Sequence, residues 1–208
     1  MKENKIELYS KFERFWHWTQ ALLVILLGLT GFEIHNSFKL FGYETAVRLH
    51  SASAWAFLIL IALAIFWMFI SKQYRNYIPT SKNVKAQINY YLSGIFKGAA
   101  HPTSKSKLSK LNPLQRIVYL GLIILVFPVQ LLSGFLYMYY HYPNKPIELA
   151  GLKTVATIHV IGAFLLVVFL IVHLYLITTG TGPLTNLKAM ITGFEKVDEK
   201  EELVKNQV

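Results

Sequence analysis

Residues 154–177 read TVATIHVIGAFLLVVFLIVHLYLI, an apolar run long enough to cross a lipid bilayer as one α-helix. Two histidines, His159 and His173, interrupt this run fourteen residues apart. Fourteen residues of α-helix rise about 21 Å and return to within about 40° of the same face. An ionisable side chain inside a membrane is costly and marks a candidate functional site. The run therefore predicts a membrane helix that presents two functional imidazoles on one face.

The whole chain has the composition of a small membrane protein. Its 208 residues are 54% hydrophobic, and a mean hydropathy of +0.40 is too apolar for an ordinary soluble domain. Three further apolar stretches approach the length of a membrane span, at residues 15–32, 52–70 and 117–139. The sequence therefore predicts four membrane helices.

The basic residues indicate how these helices are oriented. Seventeen of the 21 lysines and arginines lie in the N-terminal arm, in the long connection after the second apolar stretch, and in the tail. The two remaining loops hold only Lys39, Arg48, Lys145 and Lys153. Because cytoplasmic segments carry the excess of Lys and Arg, both termini and the long connection are predicted to be cytoplasmic. The net charge of +10 is then a topology signal, and no nucleic-acid partner is predicted.

The predicted fold is an all-α membrane protein, a four-transmembrane-helix up-down bundle with both termini in the cytoplasm. The helices are predicted at about 15–34, 44–71, 113–140 and 152–179, within a single membrane domain over residues 1–208. A cytoplasmic loop with a surface helix is predicted at about 72–112, and a cytoplasmic tail at 180–208. Pro128 is expected to kink the third helix.

The chain contains no cysteine. Iron–sulfur clusters, covalently attached c-type haem and disulfides all need cysteine, so the sequence excludes them. Any redox chemistry in this chain would use cofactors that are held without covalent bonds.

Two more histidines lie at the ends of apolar helices, at depths that match the first two. In the predicted orientation His17 and His173 lie near the cytoplasmic side, and His50 and His159 lie near the outer side. Two neutral imidazoles that face each other across a porphyrin give six-coordinate haem b, which transfers electrons. The sequence therefore predicts two haem b groups. His17 and His173 would bind the inner haem iron, and His50 and His159 the outer haem iron. The ordinary alternative is that these histidines only lie at the membrane interface.

His35 is an alternative to His50 as a ligand of the outer haem. It lies eighteen residues after His17 on the same helical face, about 27 Å along the axis and beyond the expected apolar span. The sequence therefore favours His50.

Three further residues are candidate haem contacts. Gly28 would leave room for the outer porphyrin, or would serve helix packing alone. Arg14 near the inner haem and Arg48 near the outer haem would pair with propionates, or would be topology-determining charges only.

A polar segment opens the third helix on the cytoplasmic side. Asn112 and Gln115 lie there, at the predicted depth of the inner haem. Their amides, with the free N–H groups of the helix N-terminus, would bond a quinone carbonyl. The alternative is an ordinary helix cap, with Asn112 at the N-cap and Pro113 at the first helical position.

Five segments follow one family pattern: RFWHW at 14–18, His50, NPL at 112–114, the histidine pair of the last apolar helix, and KAMITG at 188–193. In these segments the chain resembles the four-helix di-haem cytochrome b subunits of respiratory complexes. That family includes the membrane anchors of nickel–iron hydrogenases, formate dehydrogenase and thiosulfate reductase. The likeness extends from Arg14 to about Phe194.

The resemblance implies the same two pairs of haem ligands. It also implies that menaquinone or ubiquinone reacts near the inner haem, around Asn112, Gln115 and His173. The implied partner is a periplasmic redox subunit: a multihaem cytochrome c, a molybdoenzyme or iron–sulfur subunit, or a hydrogenase. The segment TTGTGP at 178–183 departs from the hydrogenase anchors and is closer to the thiosulfate reductase or multihaem-cytochrome branch.

Together these features predict a multi-pass protein of the bacterial inner membrane that carries electrons between a periplasmic redox partner and the quinone pool. It would be the electron-transfer subunit of an oxidoreductase complex, in contact with quinone and membrane lipid. One alternative is a stand-alone superoxide:quinone oxidoreductase, with the outer basic residues attracting superoxide. Another is a haem-free membrane anchor or transporter subunit.

Overall fold

The computed structural model describes residues 5–99, 102–103, 110–140, 149–180 and 182–196. The described chain is mostly helical. Its elements are β1 (Lys5–Glu7), α1 (Lys11–Ile34), α2 (Tyr43–Ile70), α3 (Val84–Asn89), α4 (Pro113–Gly121), α5 (Phe127–Tyr139), α6 (Leu149–Ile177), α7 (Thr185–Thr192) and β2 (Phe194–Lys196).

Four helical segments are long and apolar enough to cross a membrane. They are α1, α2, the continuous run Pro113–Tyr139 that contains α4 and α5, and Gly151–Ile177 within α6. These are the four spans predicted from hydropathy, which are thereby confirmed as helices. Most of their apolar surface faces outward, as expected of helices whose surroundings are lipid.

The chain divides into two compact units. The terminal unit contains Met1–Phe15, Lys72–Leu120 and His173–Val208, and the central unit contains Trp16–Ser71 and Gly121–Val172. The single membrane domain over 1–208 stays a prediction.

The first helix starts earlier than the predicted position near residue 15. The Ser10 hydroxyl accepts the N–H of Glu13 at 3.3 Å, and the Glu13 carboxylate accepts the N–H of Ser10 at 2.8 Å. This reciprocal pair is a capping box, which satisfies two backbone donors that a helix start leaves open. The start at Lys11 was missed because hydropathy does not detect a polar first turn.

The third span contains a π-helical segment at Leu122–Val126, between α4 and α5. Pro128 follows this segment by two residues, lacks a backbone N–H and crowds the preceding turn. π-Helical geometry occurs mostly as single turns inserted in α-helices, as it does here. The irregularity predicted at Pro128 therefore lies in the turn before it.

The terminal unit contains the predicted surface helix. Residues 84–97 are helical throughout, passing from α to π geometry at Tyr90 and to 3₁₀ geometry at Ile95. In the same unit β1 and β2 form an antiparallel ribbon with Ile6 opposite Glu195. This ribbon was not predicted, since strands of three residues are too short to show a hydrophobic period.

A buried ion pair joins distant parts of the terminal unit. The ammonium of Lys110 lies 2.6 Å from a carboxylate oxygen of Glu13, and both side chains are almost fully buried. The same ammonium lies 5.9 Å from the centre of the Tyr9 ring. Burial, together with nearby acidic groups, raises the pKa of Tyr9 well above its ordinary value. The pair therefore fixes residue 110 against the start of α1.

In the central unit, Glu33 holds the connection between α1 and α2. Its carboxylate accepts the backbone N–H groups of Leu40, Phe41 and Gly42 at 2.7 to 3.0 Å. Three charge-assisted bonds of this kind fix the path of a short loop. That loop leads directly into α2, the helix that carries His50.

Candidate functional site

The central unit brings His50 of α2 and His159 of α6 together. The centres of the two rings are 6.3 Å apart, and their planes are inclined by 70°. An imidazole nitrogen binds a transition metal at about 2 Å and its ring centre lies roughly 1 Å further away, so two axial imidazoles have centres about 6 Å apart. The spacing of the pair thus fits two axial ligands of one iron.

A hydroxyl from a neighbouring helix contacts each imidazole. Oγ1 of Thr30 in α1 lies 3.0 Å from Nδ1 of His50, and Oγ of Ser133 in α5 lies 3.0 Å from Nδ1 of His159. The side-chain amide of Gln130 lies 3.2 Å from Nε2 of His159. A hydroxyl therefore contacts each ring at Nδ1, the Gln130 amide also contacts His159 at Nε2, and all four long helices contribute to the surroundings of the pair.

A glycine follows each of the two hydroxyl residues and gives the ring its space. A Cβ at Gly31 would lie 3.3 Å from Cε1 of His50, and a Cβ at Gly134 would lie 3.1 Å from Cε1 of His159. Neither glycine was predicted from the sequence. The glycine that was predicted, Gly28, has no described atom within 4 Å of the position of a Cβ. Its role beside a porphyrin stays a prediction.

Two aromatic contacts join the helices that carry the histidines to the other two long helices. Phe32 packs edge-on against Phe164 with ring centres 5.6 Å apart, and Phe135 packs against Trp55 at 4.9 Å. Such contacts help to hold α2 against α5 and α6 against α1.

No group of three or more His, Asp or Glu side chains in the described part of the chain is arranged to hold a metal ion. Two histidines alone leave most of the coordination sphere of a metal unfilled. The donor set therefore suits a metal that brings its own equatorial ligands, as the iron of a porphyrin does. The residues present fit haem b.

His35 lies exposed in the turn that follows α1. His50, by contrast, is the histidine whose ring faces His159. This geometry favours His50, as the sequence did, although ligation itself stays a prediction.

His17 and His173, the predicted ligands of the inner haem, belong to different units and are described separately. His17 is half-buried near the start of α1, and its ring packs edge-on against Trp18 with centres 5.2 Å apart. His173 is half-buried in the last turns of α6. Their pairing stays a prediction.

The two predicted propionate partners have different surroundings. Arg14 donates from Nη1 to the carbonyl oxygen of Ile191 at 2.6 Å, which ties the start of α1 to α7. Arg48 is exposed on α2, two residues before His50. A propionate contact stays a prediction for both.

Asn112 and Gln115 form the helix cap that the sequence offered as the alternative to a quinone site. The Asn112 side chain accepts the N–H of Gln115 at 2.8 Å, and the Gln115 side chain accepts the N–H of Asn112 at 3.0 Å. The amide of Asn112 also donates to the hydroxyl of Tyr91 at 2.9 Å. Burial raises the pKa of Tyr91, so this hydroxyl stays protonated at neutral pH. A quinone bound to these amides would have to replace bonds of the cap.

The chain matches known proteins over most of its length. Residues 8–193 match the family described as "Prokaryotic cytochrome b561". The chain is also 32% identical over 200 residues to the cytochrome YdhU of Escherichia coli (strain K12), an alignment that covers 93% of this chain and 76% of that protein. The match covers all four membrane-length helices and both histidines of the facing pair. The chain therefore belongs to the prokaryotic cytochrome b561 family and is a multi-pass bacterial membrane protein that holds haem b and transfers electrons.

Proposed function

We propose that the chain is a di-haem conduit that carries electrons across the bacterial inner membrane, between a periplasmic redox partner and the quinone pool. The observation that supports this most directly is the facing pair of imidazoles from His50 and His159. Haem b bound there would supply a one-electron carrier with no open coordination position. The chain's own residues hold that group, orient it and keep water away from it.

The second haem of the proposal is assigned to His17 and His173. The support is sequence spacing, since His173 follows His159 by fourteen residues and about four helical turns. A histidine inside an apolar helix is costly without a partner of this kind. Arg14 and Arg48 are proposed as propionate partners of the inner and outer haem.

The orientation of the proposal places both termini in the cytoplasm. Seventeen of 21 basic residues lie on that side in the four-helix arrangement. The haem of His50 and His159 is then the outer one and exchanges electrons with a periplasmic subunit, a multihaem cytochrome c or an iron–sulfur subunit of a molybdoenzyme. Menaquinone or ubiquinone is proposed to react beside His173. Asn112 and Gln115 would give up hydrogen bonds of the helix cap and form hydrogen bonds to the quinone instead.

The haem content of the purified protein, and the reduction of its haems by quinol, test this proposal. We expect about two haem b per chain by pyridine haemochrome assay, and reduction of both by a quinol analogue in detergent without any partner. One haem per chain would contradict the di-haem arrangement. A protein that retains both haems but accepts no electrons from quinol would contradict the quinone role.

The same preparation separates the alternatives. A conduit needs its partner, so it should show little turnover with superoxide and quinone alone. Steady superoxide-driven quinone reduction by the isolated chain would instead identify a stand-alone superoxide:quinone oxidoreductase. Membership in a haem-binding family gives no support to a haem-free anchor or transporter.

Gly134→Ala is expected to lower the haem content of the His50–His159 site. The new Cβ would lie 3.1 Å from Cε1 of His159, so the ring would have to move. In a helix, alanine otherwise gains about 1 kcal/mol over glycine, so a loss of haem would not reflect weaker helix formation. Gly121→Ala is the matched control, because no described atom lies within 4 Å of its Cβ position. Equal haem content in the two variants, measured by pyridine haemochrome assay, would contradict the expected crowding.

A further inference from the structure

The hydroxyl of Thr30 has its proton committed to the backbone of its own helix. Oγ1 lies 2.6 Å from the carbonyl oxygen of Leu26 and 3.3 Å from that of Leu27. A carbonyl oxygen only accepts hydrogen bonds, and a hydroxyl has a single proton to donate. Nδ1 of His50, 3.0 Å away, must therefore be the donor in its contact with this oxygen. The contact assigns the ring proton of His50 to Nδ1.

Ser133 repeats this arrangement in α5. Its Oγ lies 2.6 Å from the carbonyl oxygen of Val129 and 3.2 Å from that of Gln130. Nδ1 of His159 lies 3.0 Å from the same Oγ. By the same reasoning the ring proton of His159 is on Nδ1. In both rings the lone pair that a metal ligand needs is then on Nε2. At His159 the Gln130 amide lies 3.2 Å from this nitrogen and would have to move away for a metal to bind.

The two arrangements are parts of one repeated pattern. The hydroxyl residues lie in LTGF at 29–32 and LSGF at 132–135. In each segment the hydroxyl contacts one imidazole, and the glycine that follows leaves space for the same imidazole. The phenylalanine after the glycine contacts the helix that carries the other histidine of the pair. Phe32 contacts Phe164, five residues after His159, and Phe135 contacts Trp55, five residues after His50.

This repetition argues that the contacts are specific. Hydroxyl bonds to a carbonyl four residues earlier are common in membrane helices and need no explanation. Thr157, for example, makes such a bond to Lys153 at 2.9 Å on an exposed face of α6. The feature that distinguishes Thr30 and Ser133 is the imidazole at the same distance from each oxygen.

We propose that Thr30 and Ser133 are positioning residues for the haem held by His50 and His159. Each fixes its histidine in the Nδ1–H tautomer and makes Nε2 the ligand atom. This inference rests on the proposed function, in which these two histidines bind the outer haem. It goes beyond that function in stating which tautomer is bound and how the protein controls the reduction potential.

The hydrogen bonds have an electrochemical consequence. A ligand histidine that donates its other N–H to an acceptor becomes a more basic ligand. A more basic ligand favours ferric over ferrous iron, so removal of the acceptor should raise the reduction potential. The carbonyl oxygens of Leu27 and Gln130 lie 3.3 and 3.2 Å from the two hydroxyl oxygens and are other possible acceptors when a hydroxyl is removed. We therefore expect a threefold to tenfold change in the reduction equilibrium, about 28 to 59 mV for one electron.

Redox titration of the full-length haem protein tests the proposal. Thr30→Val and Ser133→Ala remove the hydroxyls, whereas Thr30→Ser and Ser133→Thr retain them. Thr157→Val removes a hydroxyl of the same kind that contacts no imidazole, and it serves as the control. His159→Ala identifies which of the two titration waves belongs to the outer haem. The expected result is an upward shift of that wave in Thr30→Val and Ser133→Ala, with wild-type potentials in the other three hydroxyl variants.

The outcomes distinguish this inference from the function on which it rests. Selective loss of the outer haem in Thr30→Val, restored in Thr30→Ser, would support the positioning role as a potential shift would. Unchanged potentials in Thr30→Val and Ser133→Ala, with both haems bound, would overturn the inference and leave the proposed function intact. A shift in Thr157→Val as large as the shift in these two variants would do the same. Full haem content in His159→Ala would overturn the ligand assignment itself. If one of the variants Thr30→Val and Ser133→Ala does not fold, the other tests the equivalent bond at the other histidine.

Discussion

His159→Ala is expected to reduce the haem content of the protein from about two haem b per chain to about one. An alanine provides no ligand atom, and the imidazole of His50 alone cannot hold a six-coordinate iron. The second haem should be retained because its proposed ligands, His17 and His173, are unchanged. The measurement is the pyridine haemochrome assay on purified protein, together with the reduced-minus-oxidised spectrum.

The control for this prediction is His35→Ala. His35 is exposed after α1, whereas the ring of His50 lies 6.3 Å from that of His159 between centres. His35→Ala should therefore keep both haems, and His50→Ala should lose the same haem as His159→Ala. Loss of haem in His35→Ala with retention in His50→Ala would show that the ligand assignment is wrong.

His173→Ala is expected to remove the inner haem, keep the outer one and stop the reduction of the remaining haem by quinol. The inner haem is the proposed point of contact with quinone, so its loss breaks the path at its cytoplasmic end. A chemical reductant such as dithionite should still reduce the outer haem, because that reaction does not depend on the path. The measurement is the absorbance of the reduced α-band after addition of a quinol analogue.

His101→Ala is a suitable control, since position 101 falls within the cytoplasmic loop predicted from the sequence at about 72–112. It should keep both haems and full quinol-driven reduction. Rapid quinol reduction of the outer haem in His173→Ala would place the quinone site elsewhere in the protein.

The spans and the facing histidine pair could be predicted because a membrane imposes strong local requirements. A helix needs about 20 apolar residues to cross the bilayer, and each of the four stretches meets that requirement in the sequence itself. His50 and His159 were matched because depth follows from the position of a residue in its span. The depth of a residue in the membrane can be estimated from its own helix alone, so the estimate does not require knowing which helices pack together.

Thr30 and Ser133 could not be identified in this way. A hydroxyl residue in a membrane helix ordinarily bonds its own backbone, so its presence alone predicts nothing. Its contact with an imidazole depends on the rotation of two helices about their axes, which hydropathy does not determine. The repeated segments LTGF and LSGF were the available sequence signal.

Asn112 and Gln115 show a different reason why the sequence alone did not determine the candidate site. The same two amides suit a quinone carbonyl and a capping box, and the structure shows the capping box. A cap needs only a three-residue spacing, so it is readily formed by a local sequence. A ligand site also needs distant residues that one segment of sequence does not contain.

The buried pair of Glu13 and Lys110 has a consequence for the history of the chain. Either charge without the other would be desolvated and uncompensated, at a cost of several kcal/mol. A lineage that loses the acid by mutation therefore comes under pressure to lose the base as well, although 97 positions separate them in the sequence. Related sequences are therefore expected to keep or lose both charges together.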